Sequence, residues 1–190
     1  PPVKLTTTKG KESVAPYNGP SLCALAFKIS YDKARGPVTF LRLFSGELTA
    51  KTVMHNTTKD IRERPNHVYE IKADELKVIE SARSGDVVAV VGLKGTETGD
   101  TLVTFKGPLH GQRLAGLSIP PPVFALAIEP ETSSEQAAME EALRIMCIED
   151  PSLQLENDKE SGQTLLRGIG ELHLEIVLDR LQREHNISVI

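Results

Sequence analysis

The chain has 190 residues, of which 39% are hydrophobic and 25% charged, with a formal net charge of −4. That balance excludes a disordered polypeptide. No run of about 18 apolar residues occurs, which excludes a membrane-spanning helix, and no membrane partner is expected. The charge is uneven. Residues 1–128 carry 17 Lys and Arg against 12 Asp and Glu, whereas residues 129–190 carry 5 against 14. A shift from net +5 to net −9 predicts two units with different neighbours, the first suited to phosphate and the second repelled by it. Cys23 and Cys147 lie far apart in apolar settings, so two buried thiols in a reducing compartment are expected.

Residues 1–20 are polar, contain Pro and Gly, and read as a linker; with no apolar core in this stretch and no initiator Met, a fragment of a longer chain is expected. The segment "SLCALAFKISYD" alternates with period two and is apolar on both faces, as a well-buried strand is. "PVTFLRLF" forms a second strand, and Gly46 in "SGE" accepts the positive φ of a tight turn before "LTAKTVMH" runs back. "NTTKDIRERPNH" reads as a loop or strand rim, "VYEIKA", "VVAVVGL" and "TLVTF" as strands, and "DELKVIESAR" as one helical turn. "KGTETGD" reads as a hairpin turn, because it sits between two apolar strands rather than before a helix. Strands with turns about ten residues apart predict an antiparallel β-barrel over residues 21–106.

Residues 107–121 read as a second linker, after which the period changes. "PVFALAIE" is a strand. Met139, Ala142, Leu143, Met146 and Cys147 then recur at helical spacing, with Ser133 and Gln136 spaced as a capping box and Pro151 forbidding continuation. "SLQLEN" and "QTLLRG" are strands joined by "DKESG". A second helix follows with Leu174, Val177, Leu178 and Leu181 on its buried face, and Asn186 stops it. "ISVI" starts a last strand that is cut short. Residues 122–190 thus predict an α+β unit of order β-α-β-β-α-β, the ferredoxin-like arrangement.

The chemistry is sparse. "RGIGELH" places Gly-Ile-Gly before a helix, but it lacks the longer glycine fingerprint and the Lys-Ser/Thr pair of a phosphate loop, and Glu171 sets a negative charge at its mouth. His173 has no Ser or Cys nucleophile nearby in sequence and no second His at helical spacing; a partly exposed contact histidine is expected, with no catalytic or metal role assigned. Lys59, Arg62 and Arg64 form a basic cluster broken by Asp60 and Glu63; a solvated face is its default reading and contact with an RNA backbone the alternative, without an aromatic row for stacking bases.

Six blocks together resemble a known family: "LCALAFKISYDKARGPVTFLRLFSGEL", "HNTTKDIRER", "SGDVVAVVGLKGTETGDTL", "IPPPVFALAIEP", "EDPSLQ" and "SGQTLLRGIGELHLEIVLDRLQRE" are similar to elongation factor G, in order, over about residues 20–190. The resemblance implies the second and third domains of that translational GTPase, a β-barrel and a ferredoxin-like domain. GTP and Mg would belong to a further domain, with no cofactor in these residues. It also implies ribosome binding through small-subunit ribosomal RNA and protein, and transmission of the GTP state to the ribosome in translocation or recycling. The alternative is a free-standing RNA-binding module. Asp150, Gly170, Glu171, His173, Val177 and Arg180 fall where the family's third domain faces the GTPase domain and the fusidic acid cleft; Lys59, Arg62 and Arg64 are the RNA contact candidates. "SGQT", "EDPSL" and "LAGLSIPPPVF" look closer to the mitochondrial, recycling branch of the family, which implies the mitochondrial matrix, with the bacterial cytoplasm as the alternative; a monomer is expected. Pro65 departs from the family pattern, in which an apolar residue continues a strand.

Overall fold

The computed structural model describes residues 3–7, 12–15, 19–73, 75–115, 119–158 and 162–189. The chain divides into two units, Pro1–Leu117 and Ser118–Ile190.

The strands of the first unit, in chain order, are β1 (Val3–Thr7), β2 (Glu12–Ala15), β3 (Cys23–Asp32), β4 (Gly36–Ser45), β5 (Glu47–Thr49), β6 (Met54–Asn56), β7 (Ile61–Glu63), β8 (His67–Lys72), β9 (Glu75–Ile79), β10 (Ser81–Arg83), β11 (Val87–Val91), β12 (Thr101–Thr104) and β13 (Gln112–Leu114). Eight of them form an antiparallel sheet in the order β7-β6-β12-β3-β4-β11-β8-β9. A separate pair, β5 with β10, adds Leu48 and Ala82 to the interior. Ala24, Leu41, Met54, Val68, Val88 and Leu102, from six strands across the sheet, share one buried cluster. Strands that far apart in pairing order meet only if the sheet curls around its own inner face, as the predicted barrel requires. Gly46 has φ +75°, as its turn demands, and a Cβ there would lie 2.4 Å from the Leu22 amide nitrogen.

Four expectations need correction. The stretch read as an N-terminal linker contains β1 and β2, and the second linker contains β13; these three pair as a sheet of order β13-β1-β2. Leu5 and Leu114 bury themselves with Cys23 and Val103 on the outer side of the main sheet. Strands this short show one or two apolar residues each, too few for a period to emerge from a polar, Pro- and Gly-bearing background. The segment read as a helical turn is β9 and β10, because its residues pair with β8 and β5 instead of with each other. "KGTETGD" does not close a hairpin: β3 and β4 lie between β11 and β12 in the sheet, so this loop crosses from one to the other. The fourth correction lies in the second unit. Pro65, meanwhile, follows the end of β7, and the strand does not continue through it.

The second unit has the order β14 (Phe124–Ile128), α1 (Gln136–Glu149), β15 (Gln154–Asn157), β16 (Thr164–Gly168) and α2 (Glu171–His185), with its sheet ordered β14-β16-β15. Met139, Leu143 and Met146 of α1 and Leu174, Val177 and Leu181 of α2 pack on Ile128 and Leu166 of the sheet. Asn186 adopts φ 56° and its N–H donates to the carbonyls of Gln182 and Leu181, ending α2 where its residue type predicts. At the expected last strand, Val189 forms an antiparallel bridge to Pro130; Ile190, and residues 159–161 of the "DKESG" turn, lie outside the described residues. The capping box does not form. Ser133 sits inside a 3-10 turn, Ser133–Glu135, whose cap is the extended Thr132, so its hydroxyl does not stand before the free amides of α1. The Gln136 amide donates instead to Glu140 Oε1 (2.6 Å) and Thr164 Oγ1 (3.4 Å).

Candidate functional site

The first unit carries a basic groove of about 660 Å3, lined by Lys51, Arg62, Glu63, Arg64, Pro65, Asn66, Gly92 and Lys94 among others. Of the three residues proposed from sequence, Arg62 and Arg64 meet here. Lys59 does not line the groove; its ammonium lies against the Glu97 carboxylate, and this hydrogen bond raises its pKa. Lys51 and Lys94 were not legible as partners of the arginines, because they arrive from the β5–β6 connection and from the loop between β11 and β12. The Arg62 guanidinium rests over the Phe105 ring at 5.1 Å, a cation–π contact that steadies it at the groove wall.

The single carboxylate in that wall, Glu63, is turned inward and 5% exposed. Its Oε2 accepts the Lys94 N–H (3.1 Å); its Oε1 accepts the Gly95 N–H (2.8 Å) and the Thr96 hydroxyl (3.2 Å). Asp100, at the far end of the same loop, accepts the Glu97 N–H (2.9 Å) and the Asn56 side-chain amide (2.8 Å). Two buried acids thus draw their compensation from loop amides, the Thr96 hydroxyl and the Asn56 side chain, as buried polar groups must. The crossing loop is pinned along its length by side chains from β6, β7 and its own end.

In the second unit the "GIGELH" turn is tied down by His173, whose side chain is 18% exposed. The Ile169 N–H donates to His173 Nδ1 (3.2 Å), which makes Nδ1 the acceptor and leaves the ring proton on Nε2. Nε2 then donates to Asp150 Oδ2 (2.8 Å), just beyond the end of α1. Asp150 Oδ1 accepts the Ser152 N–H (2.9 Å) and hydroxyl (2.5 Å). Partial burial pushes the Asp150 carboxyl upward, but the Ser152 and His173 hydrogen bonds together outweigh it and hold the group below its ordinary value. A Cβ at Gly168 would sit 2.8 Å from His173 Nδ1 and 2.7 Å from Leu174 Cδ2, so only glycine lets the ring approach the strand end this closely.

The other second-unit residues divide by role. Gly170 is extended at the N-cap of α2, and Glu171 is exposed in its first turn. Val177 is 3% exposed and belongs to the core, so it backs this surface rather than forming it. Arg180 donates to Glu149 (3.2 Å) and to both oxygens of Glu184 (3.1 Å each), which ties α2 to the end of α1. Ile169, Leu172 and Ile176 are exposed apolar residues on and before α2; Leu172 is 68% exposed. Sequence reasoning passed over them because it sought polar chemistry. Burial pushes the thiol of Cys23 up to about 12 and that of Cys147 to about 11, the latter also facing the Asp150 charge. Among the described residues, no group of three or more His, Cys, Asp or Glu could hold a metal ion, and no helix is long and apolar enough to cross a membrane.

Comparison with known proteins decides the family. Residues 21–105 match the family described as Elongation factor G domain 2, and residues 119–190 match Elongation Factor G, domain III. The chain belongs to the elongation factor G family. It is 42% identical over 190 residues to elongation factor G of Fervidobacterium nodosum and of Pseudothermotoga lettingae, covering 100% of this chain and 27% of each relative. It is 41% identical over 192 residues to the mitochondrial ribosome-releasing factor 2 of Rattus norvegicus, covering 90% of this chain and 24% of that protein. A crystal structure from Thermus thermophilus superposes with a TM-score of 0.72 at 31% identity, over 91% of this chain and 26% of the other. The chain thus spans about a quarter of the length of the relatives it matches. Matching two successive domains of one elongation factor favours the central domains of that family over the free-standing RNA-binding module.

Proposed function

We propose that these two units are the ribosome-binding centre of an elongation factor G-like GTPase and pass its nucleotide state to the ribosome. The tandem match to domains two and three of one factor carries the reading. GTP and Mg would bind in a further domain of the same polypeptide, and no step of hydrolysis belongs to these residues. The groove of Lys51, Arg62, Arg64 and Lys94 is the surface for small-subunit ribosomal RNA, since cations gathered around one groove release counterions from a phosphate backbone. The Asp150, Gly170, Glu171 and His173 surface is the face for the GTPase domain and the fusidic acid cleft, with Val177 and Arg180 stiffening it from behind and from the side. The exposed Ile169, Leu172 and Ile176 supply the apolar contact such a face needs. Ordered and disordered switch loops would press on this turn differently, and a small shift at a packed interface tips a two-state arrangement.

The finer reading is recycling in the mitochondrial matrix, supported by the "SGQT", "EDPSL" and "LAGLSIPPPVF" tracts and by the name of the rat relative; translocation in the bacterial cytoplasm is the alternative, at nearly equal identity. The test is cosedimentation of the chain with isolated small ribosomal subunits over a range of salt. Binding that weakens steeply with salt, and drops about tenfold or more when Arg62, Arg64 and Lys94 are all replaced by Ala, is the expected result. Subunit binding indifferent to both would overturn it.

A further inference from the structure

We infer that Glu63 is a positioning residue that arms the RNA-facing groove by holding Lys94 at its wall; this rests on the RNA role assigned to that groove under Proposed function. A carboxylate beside four cations opposes an anionic ligand if it faces the ligand. Glu63 does not. Both of its oxygens are consumed by three donors from the crossing loop, namely the Lys94 and Gly95 amides and the Thr96 hydroxyl. No cationic partner for it is found among the described residues. Its charge is met by loop dipoles, and the lysine and arginine side chains around it stay available to a ligand.

The chemistry at the site favours an acid over its amide. Three donors converge on two oxygens, so the site calls for a group that only accepts. Glutamine would aim its NH2 at one of the two backbone N–H groups. At its far end the loop is held by β3, where the Gly99 N–H donates to the Ala26 carbonyl (2.6 Å) and the Ala26 N–H donates to the Asp100 carbonyl (2.9 Å), and Glu63 anchors its near end. Glu63 is the last residue of β7, and Arg62 and Arg64 flank it in sequence. One short segment therefore presents two cations outward and, with the residue between them turned inward, anchors the loop that brings a further cation. The inserted acid, which in sequence merely interrupts a basic cluster, is what assembles the cluster in space.

The experiment measures affinity for a fluorescein-labelled RNA hairpin against salt concentration, using the 190-residue chain and the variants E63A, E63Q, K94A and E63A/K94A. K94A lowers the slope of log affinity on log salt by about 0.9, one phosphate contact. E63A is expected to lower it by a similar amount although no positive charge is removed, and K94A is expected to add nothing to E63A. A folded E63A with the unsubstituted slope, or slopes that fall independently in the double variant, overturns the inference. Should E63A fail to fold, E63Q keeps the volume and is read the same way. Amide hydrogen exchange supplies the separate arm: Lys94 and Gly95 are protected in the unsubstituted chain and exchange about tenfold faster or more in E63Q, and equal exchange overturns the anchoring claim. An unsubstituted chain that ignores the hairpin defeats the RNA reading itself, while exchange still reports whether Glu63 holds the loop.

Discussion

Each unit contains a glycine-bearing connection held by a side chain that accepts its backbone N–H groups, and the two are solved with different chemistry. In the first unit the anchor is Glu63, buried and bonded by three donors. In the second it is His173, partly exposed, accepting one N–H from Ile169 and braced by Asp150. The carboxylate works only when deprotonated and buried against enough dipoles. The imidazole works because one nitrogen accepts while the other donates, which links the turn to the end of α1 through a single ring. A loop that must stay fixed beside a charged ligand takes the first device; a turn at the meeting point of two helices takes the second.

The comparison breaks most sharply at Glu63. Its replacement by Ala leaves the buried Thr96 hydroxyl without its acceptor, at about 1–3 kcal/mol, and frees two part-buried amides at a smaller cost each. Urea denaturation followed by circular dichroism should show the first unit losing about 2–4 kcal/mol, and a loss below about 1 kcal/mol would mean that solvent replaces the carboxylate.

Gly168→Ala probes the other anchor with a smaller effect. The added methyl meets His173 Nδ1 at 2.8 Å and Leu174 Cδ2 at 2.7 Å and must displace the ring, at about 1–3 kcal/mol for overpacking. Loss of amide protection at Ile169 is the specific sign; a variant that keeps both stability and protection would show that the ring has room to move.

The smallest effect is that of acid. Asp150 has a pKa lowered in the folded chain, so its contribution to stability is complete above the usual carboxylate value of about 3.9 and is lost as pH falls below that through the folded value. Asp150→Asn should flatten this part of the acid-unfolding curve of the second unit. An unchanged curve would show that the acid response comes from other carboxylates.

The sequence by itself determined the two-unit division, the strand-rich first half and the two-helix second half, because period-two and period-3.6 patterns report which face of an element is buried whatever it packs against. It also named Arg62, Arg64, Asp150 and His173, since their residue types and the family resemblance single them out. Only the tertiary structure decided which of these meet. Lys51 and Lys94 join the arginines, and Lys59 leaves them for Glu97, because strand order is set by pairings between residues tens of positions apart. The three-residue strand β13 and the crossing path of the "KGTETGD" loop were hidden for the same reason: pairing partners and buried hydrogen bonds are long-range facts, and no local pattern encodes them.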